Sequence, residues 1–273
     1  MKLIKELVTL VEDRVGGARL SVNAVSLSDA VELLHDNCSH AMSIFSHDTA
    51  IFRGDRMNDS AGKMCSIIST ANSRRKSAGG IGNYYTEILD NIPSMKDFPK
   101  RSRSLICSTK FADAEQYGTE VYVIVPFDTA KVGIVGKHDI WEVYVELFGH
   151  HLPINHVNDF FKEMGIKDDW EDFEKFSDEL KSGDEDAKSA FLNLPELKRV
   201  FSKEELEKEY ERCKDDFIGV LNDVYSPEKT GMQWCYAADL KKHDLVQRTE
   251  LWIEGDVVSL SYDAFIKAIE DLQ

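Results

Sequence analysis

Thr249-Glu250-Leu251-Trp252-Ile253-Glu254 and Val257-Val258-Ser259-Leu260-Ser261 are separated only by Gly255-Asp256. Both are rich in β-branched, aromatic and other apolar residues, and both read as strands. No helix fits between them. A doubly wound sheet expects strand and helix to alternate, so this succession points to an α+β fold with a mixed or antiparallel sheet. The rest of the chain agrees. A helix is expected over Tyr262–Leu272 and a strand over Met232–Leu240. Earlier strands are expected at Arg19–Val25, Thr49–Gly54, Arg103–Thr109, Val121–Pro126 and Lys131–Val135. Val121–Pro126 is almost wholly apolar, which suits a central strand covered on both faces. Helices are expected over residues 1–13, from Asp29 to about His40 with Ser28 as N-cap, over Tyr84–Ile92 and Phe111–Tyr117, and from Asp139 to about Phe148. Residues 58–80, rich in Ser, Asn, Gly and basic side chains, read as a long loop with one helical stretch at most.

Length and charge narrow the function classes. The 273 residues are 42% hydrophobic and 30% charged, which is a globular composition. Net charge is −16, so the surface as a whole is unsuited to coating nucleic acid or an anionic membrane. No apolar run is long enough to span a bilayer. The amphipathic start, Met1 to Leu7, lacks a secretory signal pattern. Cys38, Cys65, Cys107, Cys213 and Cys235 are odd in number and widely spaced, so reduced, buried thiols in a cytoplasmic protein are expected. His150-His151 and His156 have no acidic or thiol partner at a recognised metal-ligand spacing, and a loop is expected there.

Charge is unevenly spread. Residues 159–216 hold 20 acidic and 11 basic side chains, and aromatics recur among them at helical spacing. A single domain over 1–273 is expected, with an acidic helical insertion at 155–224. Residues 63–110 run the other way, with nine basic and three acidic side chains. Arg74, Arg75 and Lys76 lie in this strip, which reads either as a solvated loop or as a basic rim for a polyanion.

Three strand-borne signals remain: Arg53-Gly54, Ser108-Thr109 and Glu250. Singly, each suits a surface ion pair, a helix cap or a solvated carboxylate. In order, Ile51-Phe52-Arg53-Gly54, Arg101 to Thr109, and Thr249-Glu250-Leu251-Trp252-Ile253 resemble the Arg–Ser–Glu class of mono-ADP-ribosyltransferases, which includes cholera-toxin-like toxins and phage-encoded enzymes. The resemblance covers about a third of the chain, counted from these stretches and the strands that carry them. It implies one ADP-ribosyltransferase-like domain whose split sheet clasps NAD, with no metal. Arg53 would hold a phosphate or ribose of NAD through its planar fork. Ser108, with Thr109, would position the nicotinamide ribose and the catalytic Glu. The Gly54 backbone would grip the nicotinamide amide. Glu250 would stabilise the positive charge that develops as nicotinamide leaves.

Glu254, late in the same strand, is the alternative acid, and Glu250 is preferred. Tyr84 and Tyr85, after Gly79-Gly80-Ile81-Gly82, would stack on nicotinamide or on the acceptor, with core packing the expected role for at least one of them. Arginine-modifying members carry Glu two places before the catalytic Glu. Here that place is Arg248, which leaves the acceptor open and is grouped with Arg74, Arg75 and Lys76 on the acceptor side. Lys110 stands where many members have the second Ser of Ser-Thr-Ser. The resemblance implies ADP-ribosyl transfer to a macromolecule; the basic strip puts RNA or DNA ahead of protein, and Arg248 in place of the second Glu counts against protein arginine. It also implies a toxin or phage–host conflict role in the bacterial cytoplasm, with an inhibitory antitoxin-type partner. An NAD glycohydrolase on the same site, or a non-catalytic acidic interaction module, are the competing readings.

Overall fold

The computed structural model describes residues 10–12, 19–46, 49–55, 65–73, 83–118, 120–135, 140, 146–147, 150–151, 154–167, 169–193, 195–247 and 250–272. The chain forms two compact units, Met1–Lys76 with Phe98–Asp139 and Met232–Gln273, and Ser77–Asp97 with Ile140–Gly231.

The first unit is built on an antiparallel sheet. Its strands are β1 (Leu10–Glu12), β2 (Arg19–Ala24), β3 (Phe52–Asp55), β4 (Cys65–Ser69), β5 (Leu105–Ser108), β6 (Glu120–Pro126) and β7 (Lys131–Ile134). In chain order β8 (Glu146–Leu147) and β9 (His150–His151) follow, and they form a separate ladder in the second unit. The first unit then adds β10 (Gln233–Tyr236), β11 (Glu250–Glu254) and β12 (Asp256–Ser261). Among the described residues the sheet has ten strands in the order β1-β2-β4-β12-β6-β3-β5-β11-β7-β10. Every neighbouring pair is antiparallel, so the fold is α+β with no parallel pairing in this sheet.

β11 and β12 are consecutive but not a hairpin. β11 pairs with β5 and β7, whereas β12 pairs with β4 and β6. The chain crosses between them at Gly255, whose φ is +138°. A Cβ there would sit 2.9 Å from the Ala130 Cβ, so both the backbone conformation and the space require glycine. The Gly255 N–H is secured by the Thr70 Oγ1 at 2.8 Å. Among the described residues the crossing divides the sheet into a six-stranded and a four-stranded part, which pair where β3 lies beside β5. That seam has one register pair, Phe52 opposite Ser108. By contrast β12 aligns five residues with each neighbour.

The helices Leu27–Asn37 and Tyr262–Leu272 bring Ala30, Leu34, Phe265 and Ala268 into one core with Val123, Val125, Val258 and Leu260. β6 is buried from Tyr122 to Pro126, as its apolar run predicts.

Several local expectations are corrected. Leu10–Glu12, expected within a helix over 1–13, is a strand because β2 supplies it with a ladder, and partners override local spacing. The remaining residues of that segment, 1–9 and 13, lie outside the described residues. The helix expected from Asp29 begins at Leu27, and Ser26 rather than Ser28 caps it. Ser26 Oγ accepts from the Asp29 N–H at 3.1 Å, and Asp29 returns the contact to the Ser26 N–H, a capping box. Cys65–Ser69, expected in a loop, is a strand held between β2 and β12. Glu146–Leu147, expected in a helix, pairs instead with His150–His151, which is therefore not a loop.

The second unit is mainly helical. Aromatic side chains fill its centre: Tyr84 packs on Phe161 at 5.4 Å, Phe160 on Phe191 at 5.8 Å and Phe176 on Phe217 at 5.3 Å. Helices expected over 155–224 are present as Ile154–Glu163, Trp170–Ser182, Glu185–Asn193, Lys203–Cys213 and Phe217–Val224, with short helices between and after some of them. The unit is wider than that segment because the Tyr84–Asn91 helix contributes Tyr84, Tyr85, Ile88 and Leu89 to its interior.

Candidate functional site

β3, β5 and β11 are adjacent in the sheet, and they carry Arg53, Ser108 and Glu250 respectively. Ser108 is directly opposite Phe52 on one side and Glu250 on the other. Directly opposed residues share a face, so Phe52, Ser108 and Glu250 lie on one side of the sheet. The Glu250 carbonyl accepts from the Val135 N–H and so points to β7. Its pairing with Ser108 is therefore the non-hydrogen-bonded kind, with Cα atoms about 4.5 Å apart.

The seam exposes backbone groups by the same alternation. The Ile51 carbonyl accepts from the Ile124 N–H, so Ile51 and Arg53 turn their backbone groups to β6. Phe52 and Gly54 then turn theirs to β5. Beyond Phe52 no register pair joins the two strands, and Arg53 fills the gap. Its Nη1 donates to the Ile106 carbonyl at 3.0 Å. Arg53 is thus a strap across the seam, half-buried, with further donors on the same guanidinium. Gly54 is required on packing grounds, because a Cβ would lie 2.0 Å from the Ala114 carbonyl oxygen.

Ser108 is 7% exposed. Its Oγ accepts from the Lys110 N–H at 3.0 Å and donates to Asp113 Oδ2 at 3.4 Å. Lys110 therefore supports the turn through its backbone while its side chain is exposed. Thr109 is half-buried at the exit of β5. Asp113 had no signal in the sequence; it becomes a neighbour of Ser108 because the Phe111–Glu115 helix starts three residues after β5.

The two glutamates of β11 are separated by geometry. Four residues of strand put them about 13 Å apart. Glu254 is engaged structurally: Oε1 pairs with Arg103 at 2.8 Å and Oε2 accepts from the Lys100 N–H at 2.7 Å. Glu250 is beside Ser108, half-buried, and its Oε1 accepts from the Trp252 Nε1–H at 2.6 Å.

Other expected site residues are not brought together. Tyr84 and Tyr85 are 6% and 1% exposed, and Tyr85 meets Tyr225 edge-on at 6.4 Å. They are core residues of the helical unit, which corrects the stacking role. Arg74, Arg75, Lys76 and Arg248 lie outside the described residues. Within the basic strip of 63–110, Arg101 is buried against Trp252, Arg103 pairs with Glu254 and Lys96 belongs to the helical unit, while Lys63, like Arg74, Arg75 and Lys76, lies outside the described residues. Among the described residues, no group of three or more His, Cys, Asp or Glu is placed to hold a metal ion. No described helix is long and apolar enough to cross a membrane. All five cysteines are free. Burial, reinforced by nearby Asp128, pushes the Cys38 thiol up to about 12, and burial with nearby Glu209 does the same to Cys213.

No family model matches the chain, and no curated protein and no solved structure matches it either.

Proposed function

We propose that the chain is a mono-ADP-ribosyltransferase that takes ADP-ribose from NAD to a macromolecular acceptor at the β3–β5 seam. The observation that carries this reading is the adjacency of three strands far apart in sequence, which puts Ser108 and Glu250 side by side on one face of an antiparallel sheet, with Arg53, the residue after the partner of Ser108, strapping the seam beside them. The Arg–Ser–Glu resemblance requires that adjacency, and composition alone would not produce it.

The chemistry follows from the residue types. In NAD the ribose anomeric carbon is bonded to a cationic nicotinamide nitrogen. That bond breaks with its electron pair going to nitrogen, so nicotinamide leaves neutral and positive charge develops on the ribose. The Glu250 carboxylate, directly opposite Ser108, is the anionic group that stabilises that charge, while the Asp113 carboxylate holds the Ser108 hydroxyl. The Gly54 N–H and C=O, directed into the seam, suit a primary amide, which needs one donor and one acceptor. Arg53 supplies the cationic side chain for a phosphate, and Ser108 a hydroxyl for the ribose. The acceptor nucleophile then bonds to the anomeric carbon and loses its proton to solvent.

The test is purified protein with labelled NAD and cell lysate, followed by separate protease and nuclease treatment. Label that survives protease and is released by nuclease marks an RNA or DNA acceptor; the reverse marks a protein. Free ADP-ribose alone reassigns the site to NAD hydrolysis. No consumption of NAD, with no binding by calorimetry, removes the enzyme reading in favour of an interaction module.

A further inference from the structure

Trp252 follows Glu250 by two positions on β11, so both side chains are on the same face. Trp252 is fully buried, and its Nε1–H reaches Glu250 Oε1 at 2.6 Å. The indole is fixed on its other sides. The Arg101 guanidinium lies over the ring at 5.5 Å from the centroid, and Arg101 is itself 4% exposed. Gly133 is directly opposite Trp252 on β7. A Cβ at Gly133 would come within 2.9 Å of Pro99 Cγ and 3.4 Å of the Trp252 Cβ, so glycine leaves room for Pro99 beside the base of the Trp252 side chain.

An indole N–H is a donor and nothing else. A hydroxyl can turn its hydrogen to another acceptor, as Ser108 does toward Asp113; a locked indole cannot. From these contacts we infer that Trp252 is a positioning residue of Glu250, holding one carboxylate oxygen in place. The inference rests on the proposed role of Glu250 in stabilising the ribose cation. Preorganisation is what gives such a carboxylate its effect, and a carboxylate left to rotate loses much of it. Between its glutamates the strand is otherwise aliphatic, Leu251 and Ile253, and Trp252 is the side chain there that carries a hydrogen-bond donor.

The experiment compares wild type, Trp252→Phe, Glu250→Gln and the double variant, with melting temperature as the check on folding. Trp252→Phe keeps a ring and removes the donor. Its kcat for nicotinamide release should fall about 10- to 100-fold, the effect of losing a hydrogen bond to a charged group, while KM for NAD changes little. In the Glu250→Gln background the same change should cost much less, because residues acting as a unit are not additive. Site-specific 5-fluorotryptophan, which retains the N–H, should restore the rate, and benzothienylalanine, with sulfur for N–H, should not. A structural role alone would give equal losses in both backgrounds and full activity with benzothienylalanine, and that result overturns the inference. A readout without NAD separates this from the function itself. The Trp252 indole 1H–15N resonance, assigned by its absence in Trp252→Phe, should move on Glu250→Ala. If it moves while wild type ignores NAD, the Trp252–Glu250 unit stands and the NAD reading falls. If it stays in place, the unit is refuted.

Discussion

Replacing Glu250 and Glu254 one at a time by Gln separates chemistry from scaffold, because the two glutamates share a strand and differ in what they touch. Glu250→Gln keeps shape and keeps an acceptor for the Trp252 Nε1–H, so the fold should be nearly unchanged. What disappears is the charge of Glu250 itself; the Asp113 carboxylate on Ser108 remains. Removing one preorganised electrostatic group costs about 3–4 kcal/mol in the transition state, or about 10²–10³ in kcat. Glu254→Gln loses the ion pair to Arg103 at 2.8 Å and weakens the contact to the Lys100 N–H. Arg103 is about half exposed, so that pair is worth about 1 kcal/mol or less. In a chain of this size such a loss lowers the melting temperature by about 2–4 °C. Nicotinamide release and thermal melts on both variants are the assay. Glu250→Gln should be slow and stable, and Glu254→Gln active and slightly less stable. The opposite pattern, an active Glu250→Gln with a dead Glu254→Gln, would place the catalytic carboxylate at the other end of β11 and refute the assignment.

Arg53→Lys keeps the charge but not the planar fork that can strap Ile106 and hold a phosphate together; NAD affinity by calorimetry should fall about tenfold, a loss of about 1.4 kcal/mol, and an unchanged affinity would leave Arg53 as a strap only. Gly54→Ala places a methyl 2.0 Å from the Ala114 carbonyl and should destabilise the first unit by about 1–3 kcal/mol; an unaltered melting temperature would contradict the packing. Burial resists ionisation of Asp128, but hydrogen bonds from the Ala41 N–H, the His40 ring and the His40 N–H, together with the His40 charge, outweigh it and hold the carboxyl below its ordinary value. Its contribution to stability is then complete above the unfolded value and is lost as pH falls through the lower folded one. Acidification below about pH 4 should therefore destabilise wild type more steeply than Asp128→Asn, and equal acid slopes would rule this out.

What the residues determine locally was legible in the sequence. The apolar run of β6, the strands at Lys131–Ile134 and Asp256–Ser261, and the Tyr262–Leu272 helix stand close to their expected positions, because side-chain periodicity and burial act within each segment. Arg53, Ser108 and Glu250 are legible as candidates through their order and flanking residues, and the sheet makes the strands that carry them neighbours. The tertiary structure decided everything that depends on a partner. Cys65–Ser69 is a strand because β2 and β12 lie on either side of it, while its Ser-rich surroundings look like a loop. Tyr84 and Tyr85 look like a stacking pair beside a glycine run, yet aromatic rings from distant helices close over them. The choice of Glu250 over Glu254 rests on which strand end faces Ser108 and which faces Arg103. Strand order and register are set by contacts between residues up to about 200 positions apart, here Phe52, Ser108 and Glu250. Hydrogen-bonded ladders can join any suitable strands, and only packing of the whole sheet selects among them.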